Sequence, residues 1–354
     1  LTLLAFGSAA PARAQRDPRT ALLERDGWTA LSTGHGAQAL ELFEQAIAAD
    51  PKNARLYLGA AASALIDRRE AQAQTLIDRA LALDPDSHDA RELLGQIRYK
   101  LGDLDGAIRT YSDLVPIAPE RPAVADTLAR WRREADLRDR MQQSVGAHFL
   151  ISFEGAAEAA LAEQALASLD RAYWRIGDLL GTFPSEPVPV VIYSERQFSD
   201  LTRSPAWAAA AYDGTIRIPM RGALDHDAEL DRVLAHEFTH ALLRRLSARA
   251  VPTWLNEGLA TALEAPDLTW ADRQLAAAPR LPLSKLSGSF GGMSDGEAAI
   301  AYATSAVAVR RLIDEAGGFA VANLLRDLGA GLEFDAAFIR RIQRPFAEFA
   351  ATLP

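Results

Sequence analysis

Leu230-Asp-Arg-Val-Leu-Ala-His236-Glu237-Phe-Thr-His240-Ala-Leu-Leu243 carries two patterns at once. Leu230, Leu234, Phe238, Ala241 and Leu242 recur at helical spacing and make a stripe that wants burial. His236 and His240, four residues apart, share one face of that helix and can reach a single metal ion. Glu237 sits beside them, placed to handle a proton from metal-bound water. The helix is expected from about Asp227 to Leu246, with Asp225 or Asp227 as its cap.

Upstream of this helix the texture is strand-like. Phe149–Phe153, Pro187–Tyr193 and Thr215–Pro219 read as strands, the last after an Asp213-Gly214 turn signal. Ala156–Leu180 reads as a long helix, and the chain beyond Leu246 mostly as further helices. Strands first and helices after points to an α+β class for this half.

Two histidines leave a catalytic zinc site incomplete, since such sites usually take three protein ligands and keep one position open. The chain has no cysteine, and His35, His88, His148 and His226 stand in no suitable motif. A carboxylate is therefore expected. Trp254-Leu-Asn-Glu257-Gly-Leu-Ala260 opens a new helix after Pro252, and Glu257 follows His240 by 17 positions. That leaves room for a helix end, a turn and a return. Glu264, two turns further on the same face, is the competing third ligand, or else the hydrogen-bond acceptor that a ligand histidine normally has.

The H-E-x-x-H run and Asn256-Glu257-Gly258-Leu259-Ala260 together resemble the gluzincin metallopeptidases. Over residues 147–354 the chain is similar to the peptidase MA-like domains that are sometimes joined to tetratricopeptide (TPR) repeats. The resemblance implies a thermolysin-like zincin fold, one Zn2+ per chain on His236, His240 and Glu257, and Glu237 as general base. It implies hydrolysis of peptide bonds in a peptide or protein substrate. Tyr302, read as opening the helical Tyr302–Gly317 run, is similar to a tyrosine that donates to the oxyanion in such enzymes; its other reading is a tyrosine packed at a helix start. Related zinc aminopeptidases hold the free amine with a G-x-M-E-N run. Gly291-Gly-Met-Ser-Asp295 lacks its Glu and falls after the zinc motif, so an endopeptidase is favoured. Gluzincins also place a substrate-pairing edge strand just before the zinc helix, where Thr215–Pro219 stands. The Gly- and Ser-rich Ser287–Gly296 reads as a linker or a flap.

The first third of the chain is repetitive. Pro51, Pro85 and Pro119 are 34 residues apart, twice over. In the same register Ala39 matches Ala73 and Ala107, Phe43 matches Ile77 and Tyr111, and Ala46 matches Ala80 and Leu114. Gly27, Ala61 and Gly95 form a small-residue column. This period resembles the TPR repeat, a helix pair in which small residues admit close approach and Pro ends the second helix. The expected organisation is an all-α TPR solenoid of three repeats over 16–120, a charged capping and linking helix over 121–146, and the α+β zincin domain over 147–354. The solenoid's concave groove is expected to hold a protein partner.

Residues 1–15 combine an apolar start with Ala12-Arg13-Ala14, the small-residue spacing of a secretory cleavage site. Export to the periplasm or outside the cell is expected, with no stable membrane insertion. A net charge of −9 argues against nucleic acid as a partner, because phosphate binding needs a basic face. The alternative function is a TPR protein-binding scaffold whose peptidase-like domain is inactive. Intact His236, Glu237, His240 and Glu257 favour the enzyme.

Overall fold

A computed structural model describes residues 17–193, 211–212, 215–219, 227–247, 251–277 and 281–353. The expected cleavage site in segment 1–15, the Asp213-Gly214 turn and the Asp225 cap lie outside the described residues. Packing divides the chain into two units, one ending at Ile97 and one beginning at Arg98.

The first unit holds α1 (Pro18–Ser32), α2 (Gly36–Ala49), α3 (Ala54–Ile66), α4 (Glu70–Leu83) and most of α5 (His88–Lys100). The repeat columns are its core: Ala39, Phe43, Ala46, Ala61, Ala73, Ile77 and Ala80 are all buried. Phe43 shows why small residues are needed around it. A Cβ on Gly59 would come within 2.4 Å of its ring, and one on Gly27 within 3.0 Å. Pro51 and Pro85 each follow a helix end by two residues, as a residue without a backbone N–H should.

The second unit begins with α6 (Leu104–Leu114) and α7 (Pro122–Arg138). Trp131 stacks on Tyr99 and tilts against Tyr111, with ring centroids 5.0 and 4.6 Å apart. Here the helix ends at Leu114, five residues before Pro119, and a turn fills the gap. Segment 121–146 is helical only to Arg138. Gln142–Val145 is a strand, β1, antiparallel to β2 (Phe149–Phe153). Its Gln-Gln-Ser-Val sequence has no apolar alternation that would announce it.

The sheet continues through β3 (Val188–Tyr193), β4 (Ala211–Tyr212) and β5 (Ile216–Pro219), in the order β1-β2-β3-β5-β4. β2, β3 and β5 run parallel, with α8 (Ala156–Leu180) making the crossover from β2 to β3. β5 is not the edge strand expected of Thr215–Pro219. β4 pairs with its outer side, Ala211 opposite Arg217 and Tyr212 opposite Ile216, so the outer position belongs to β4.

Alternation fixes which sheet face is core. Phe149, Ile151, Phe153, Val188, Val190, Ile192, Ile216 and Ile218 are buried on one side. Against that side pack α8 and α9 (Asp227–Leu246), joined in one core by residues of α10 (Thr253–Glu264). Then follow α11 (Thr269–Ala277), α12 (Asp295–Ala316), α13 (Gly318–Gly329), α14 (Phe334–Ile342) and α15 (Phe346–Ala351). Tyr302 lies inside α12 and does not open it. Ser294 and Glu297 form a reciprocal capping box that starts this helix seven residues earlier. Nor is Ser287–Gly296 a bare linker: Phe290 is buried in a short 3-10 turn and meets the Tyr302 ring edge-on at 5.3 Å. Among the described residues no helix is long and apolar enough to cross a membrane.

Candidate metal centre

The stripe foreseen on α9 is buried throughout, and Phe238 anchors it, meeting the rings of Phe149 at 5.5 Å and Tyr173 at 5.9 Å. Seating that face on the sheet and α8 turns His236 and His240 toward α10. There, Trp254 is fully buried and stacks on Phe346 at 5.6 Å, which fixes the start of α10 and hence Glu257 one turn later.

The two Nε2 atoms of His236 and His240 are 3.2 Å apart. Glu257 Oε2 is 3.8 Å from the first and 3.7 Å from the second. The point equidistant from these three atoms lies about 2.1 Å from each, the bond length of zinc to an imidazole nitrogen or a carboxylate oxygen. Among the described residues this is the one group of His, Asp and Glu side chains with ligand atoms close enough to hold a metal.

Glu264 stands against the Nδ1 side of His236. Its side chain is 6% exposed, and Oε2 lies 2.7 Å from His236 Nδ1, the ring nitrogen away from Glu257. A donating Nδ1–H leaves the Nε2 lone pair free for a metal. The other oxygen, Oε1, accepts from Arg232 at 2.8 Å, and Arg232 is held in turn by Glu229 at 2.6 Å. Arg232 was not marked in advance, although a residue four before His236 lies on the same helical face and is the natural place to look. At the far end of α10, Arg310 donates to the carbonyls of Ala262 and Pro266 at 2.6 and 3.2 Å. The Ala262 carbonyl, in the last turn, has no further helical turn to bond, so Arg310 closes the helix beside Glu264.

Electrostatically the site draws in positive charge. Burial by itself would lower the His236 pKa, but the Glu264 hydrogen bond and the charges of Glu237, Glu264 and Glu257 raise it overall. Glu237 is 6% exposed, and its Oε2 has no hydrogen-bond partner among the described residues. Burial, against the pull of His236 and with the push of Glu257 and Glu264, drives its pKa up to about 7. Three carboxylates and two imidazoles gathered around one point are held together by whatever cation stands there, protons or a metal.

Tyr302 joins the group from α12. Burial, followed by the charges of Glu257 and Glu237, pushes the pKa of its hydroxyl up to about 12. Gly258 makes this approach possible. A Cβ there would lie 2.6 Å from the Ser305 carbonyl oxygen and 2.8 Å from Val309. The glycine of the N-E-G run is thus the close crossing of α10 and α12. Gly258→Ala should lower stability by about 1–3 kcal/mol through overpacking against backbone. Chemical denaturation would show it, and a substitution without effect would mean that the helices part freely.

Residues 167–342 match the Peptidase MA superfamily. Residues 26–73 and 64–130 match tetratricopeptide repeat families. Some solved structures are similar to about a third of the chain. The first TPR domain of human RPAP3 is 20% identical, covering 33% of this chain and 93% of that one, with a TM-score of 0.32. The first TPR of Spaghetti (RPAP3), bound to an HSP90 peptide, gives 20%, 33%, 94% and 0.32. MamA gives 24%, 35%, 72% and 0.33. No curated protein matches the chain.

Proposed function

We propose that this chain, which joins tetratricopeptide repeats to a Peptidase MA superfamily domain, is an exported zinc-dependent peptidase of the gluzincin kind. The observation that carries this reading is the triangle of His236, His240 and Glu257 with a buried Glu237 beside it whose Oε2 has no hydrogen bond. A thermolysin-like relationship fits a mixed sheet followed by the metal helix, and the TPR repeats would bring a protein substrate or partner to it.

His236, His240 and Glu257 would hold the zinc. When bound, the ion supplies Lewis acidity, which acidifies a water and polarises the carbonyl of the scissile bond. The remaining chemistry belongs to the chain. Glu237 takes the water proton and returns it to the leaving amine. The Tyr302 phenol donates to the carbonyl oxygen as negative charge develops there. Glu264, steadied by Arg232, keeps His236 in the tautomer with a free Nε2.

Metal analysis of protein purified without chelator tests this reading, with one zinc per chain expected and peptide hydrolysis lost on chelation and restored by zinc. Zinc-free protein that hydrolyses peptides at full rate would overturn it. Metal affinity should also rise with pH across the neutral range, because the protons gathered on His236 and Glu237 must leave before a cation replaces them. A titration whose affinity is flat from pH 6 to about 8 would contradict the electrostatics described above.

Tyr302→Phe separates packing from chemistry. The ring stays against Phe290, so the fold and the zinc content should hold, while kcat falls by about 10^2 or more with little change in KM. An unchanged kcat would assign Tyr302 to packing alone.

A further inference from the structure

One face of α8 is core: Leu161, Ala165, Leu169, Ala172, Ile176 and Leu180 are buried there. Toward the C-terminal end of the helix the opposite face is not polar, as it would ordinarily be on a surface helix. Trp174 on α8 is 55% exposed, Phe183 just beyond α8 is 40% exposed, and Phe319 at the start of α13 is 61% exposed. These three rings stand in a row. The Phe183 ring folds back over Gly177 and the Phe319 ring lies over Gly181, so that a Cβ at either glycine would run into the ring. Positions 174, 177 and 181 share one helical stripe. Trp174 and Phe183 meet with ring centroids 5.5 Å apart. A glycine inside a helix costs stability. Gly177 gives up that stability to seat Phe183, and the seated ring still faces solvent.

With the neighbouring Leu179, 39% exposed, the rings leave about 400 Å² of apolar surface open, on the scale of roughly 150–250 Å² for a whole aromatic side chain. Patches of about 300–600 Å² are the largest on typical monomers and are often functional. Two such patches laid together would remove about 800 Å² from water. A standard interface of about 1,600 Å² carries close to that, roughly 900 Å² of apolar area. The charges on the same stretch of α8 say what kind of partner fits. Arg171 is closed off by Asp231 at 2.6 Å. Arg175 and Asp178 remain, both exposed, about one turn apart and of opposite sign. They make no basic rim of the kind that draws a helix onto anionic lipid. One charge of each sign is what a surface needs to match a copy of itself.

We propose that this face of α8 joins two copies of the chain across a two-fold axis, the two helices crossing antiparallel between Arg175 and Asp178. Arg175 of each copy then faces Asp178 of the other, the reciprocal contact that a two-fold interface requires. Trp174 of each copy covers the Phe183 and Phe319 end of the other. Aromatic anchors at the centre with charge pairs beside them make the usual anatomy of a stable interface. The proposal stands apart from the peptidase reading, because the candidate metal ligands lie on α9 and α10 and none belongs to this face.

Sedimentation equilibrium of the full-length protein tests it, with co-sedimentation on anionic phospholipid vesicles alongside. A dimer is expected. Trp174→Ser and Phe319→Ser, each at an exposed position, should weaken it at least about tenfold. Arg175→Asp sets acid against acid across the axis, and Asp178→Arg sets base against base, so each variant alone should weaken the dimer by about tenfold or more. An equimolar mixture of these two variants should dimerise again, because every charge then meets its opposite, a rescue that a folding defect would not give. A chain that stays monomeric up to about 100 μM, where a micromolar dimer would be nearly complete, would overturn the proposal. So would a dimer that the ring variants leave unchanged, a mixture no tighter than its two parts, or a monomer that sediments with the vesicles instead.

Discussion

Glu237→Gln is expected to yield a folded protein with its full zinc content and peptide hydrolysis reduced by about 10^2–10^4 in kcat. The amide has the carboxylate's shape but cannot take a proton from water. Glu237 lies outside the metal triangle, so the ligands keep their places. A second, independent result follows from burial. In the metal-free protein the Glu237 pKa is raised from an ordinary value of 4.5 to about 7. A carboxyl with a raised folded-state pKa adds stability that is complete below its unfolded pKa and is lost as pH rises through the folded one. Metal-free wild type should therefore lose stability between about pH 4.5 and pH 7, whereas the Gln variant, with nothing to ionise there, should lose less. Thermal melts of both metal-free proteins at about pH 5 and pH 8 measure the difference. Parallel pH dependences would show that Glu237 is not the buried acid described here, and normal hydrolysis by Glu237→Gln would remove it from the mechanism.

Much of this site was legible in residue order because the relevant chemistry is local. His236, Glu237 and His240 lie within five residues on one helix, and the apolar stripe that orients them has the same period. The TPR columns were legible for a similar reason: a repeat shows its buried positions three times, and Ala39, Ala73 and Ala107 are all fully buried. What stayed hidden depends on contacts between distant segments. β4 is two residues long, too short for any pattern, yet it displaces β5 from the sheet edge. β1 has no alternating hydrophobicity and exists because β2 offers it a ladder. The role of Glu264 rests on a rotation of α10 that brings it to His236 Nδ1, and the helical period alone left it level with a ligand role. Ser294-x-x-Glu297 is different, since that capping box stands in the sequence and would have placed the start of α12 before Tyr302.

Loss of Glu257 should be felt first in the metal. Glu257→Ala removes one corner of the triangle and leaves two imidazoles, which hold zinc weakly, so affinity should fall by more than the roughly 10–100-fold typical of losing an outer hydrogen-bond partner. It also removes the charge that, after burial, does most to raise the Tyr302 pKa. Glu264 makes the contrasting case, because it touches His236 at Nδ1 while the metal-facing atom is Nε2. Glu264→Gln can still accept from Nδ1 through its amide oxygen, and it should keep zinc with a loss within that 10–100-fold range. Glu264→Ala frees the histidine tautomer and leaves Arg232, 40% exposed, with Glu229 alone. It should weaken zinc further than Gln does and cost stability of about 1–3 kcal/mol for the buried hydrogen bonds removed. The order of zinc affinities, wild type above Glu264→Gln, then Glu264→Ala, then Glu257→Ala, is the quantity to measure, by competition with a chelating indicator. If Glu257→Ala kept wild-type affinity while the Glu264 variants lost it, the third ligand would be Glu264. α10 would then have to turn in solution so that Glu264 leaves Arg232 and His236 Nδ1 for the metal, giving up hydrogen bonds at 2.8 and 2.7 Å. The strength of those two bonds is the physical reason for placing Glu257, whose Oε2 lies 3.7 and 3.8 Å from the two Nε2 atoms with room for an ion between them, at the metal instead.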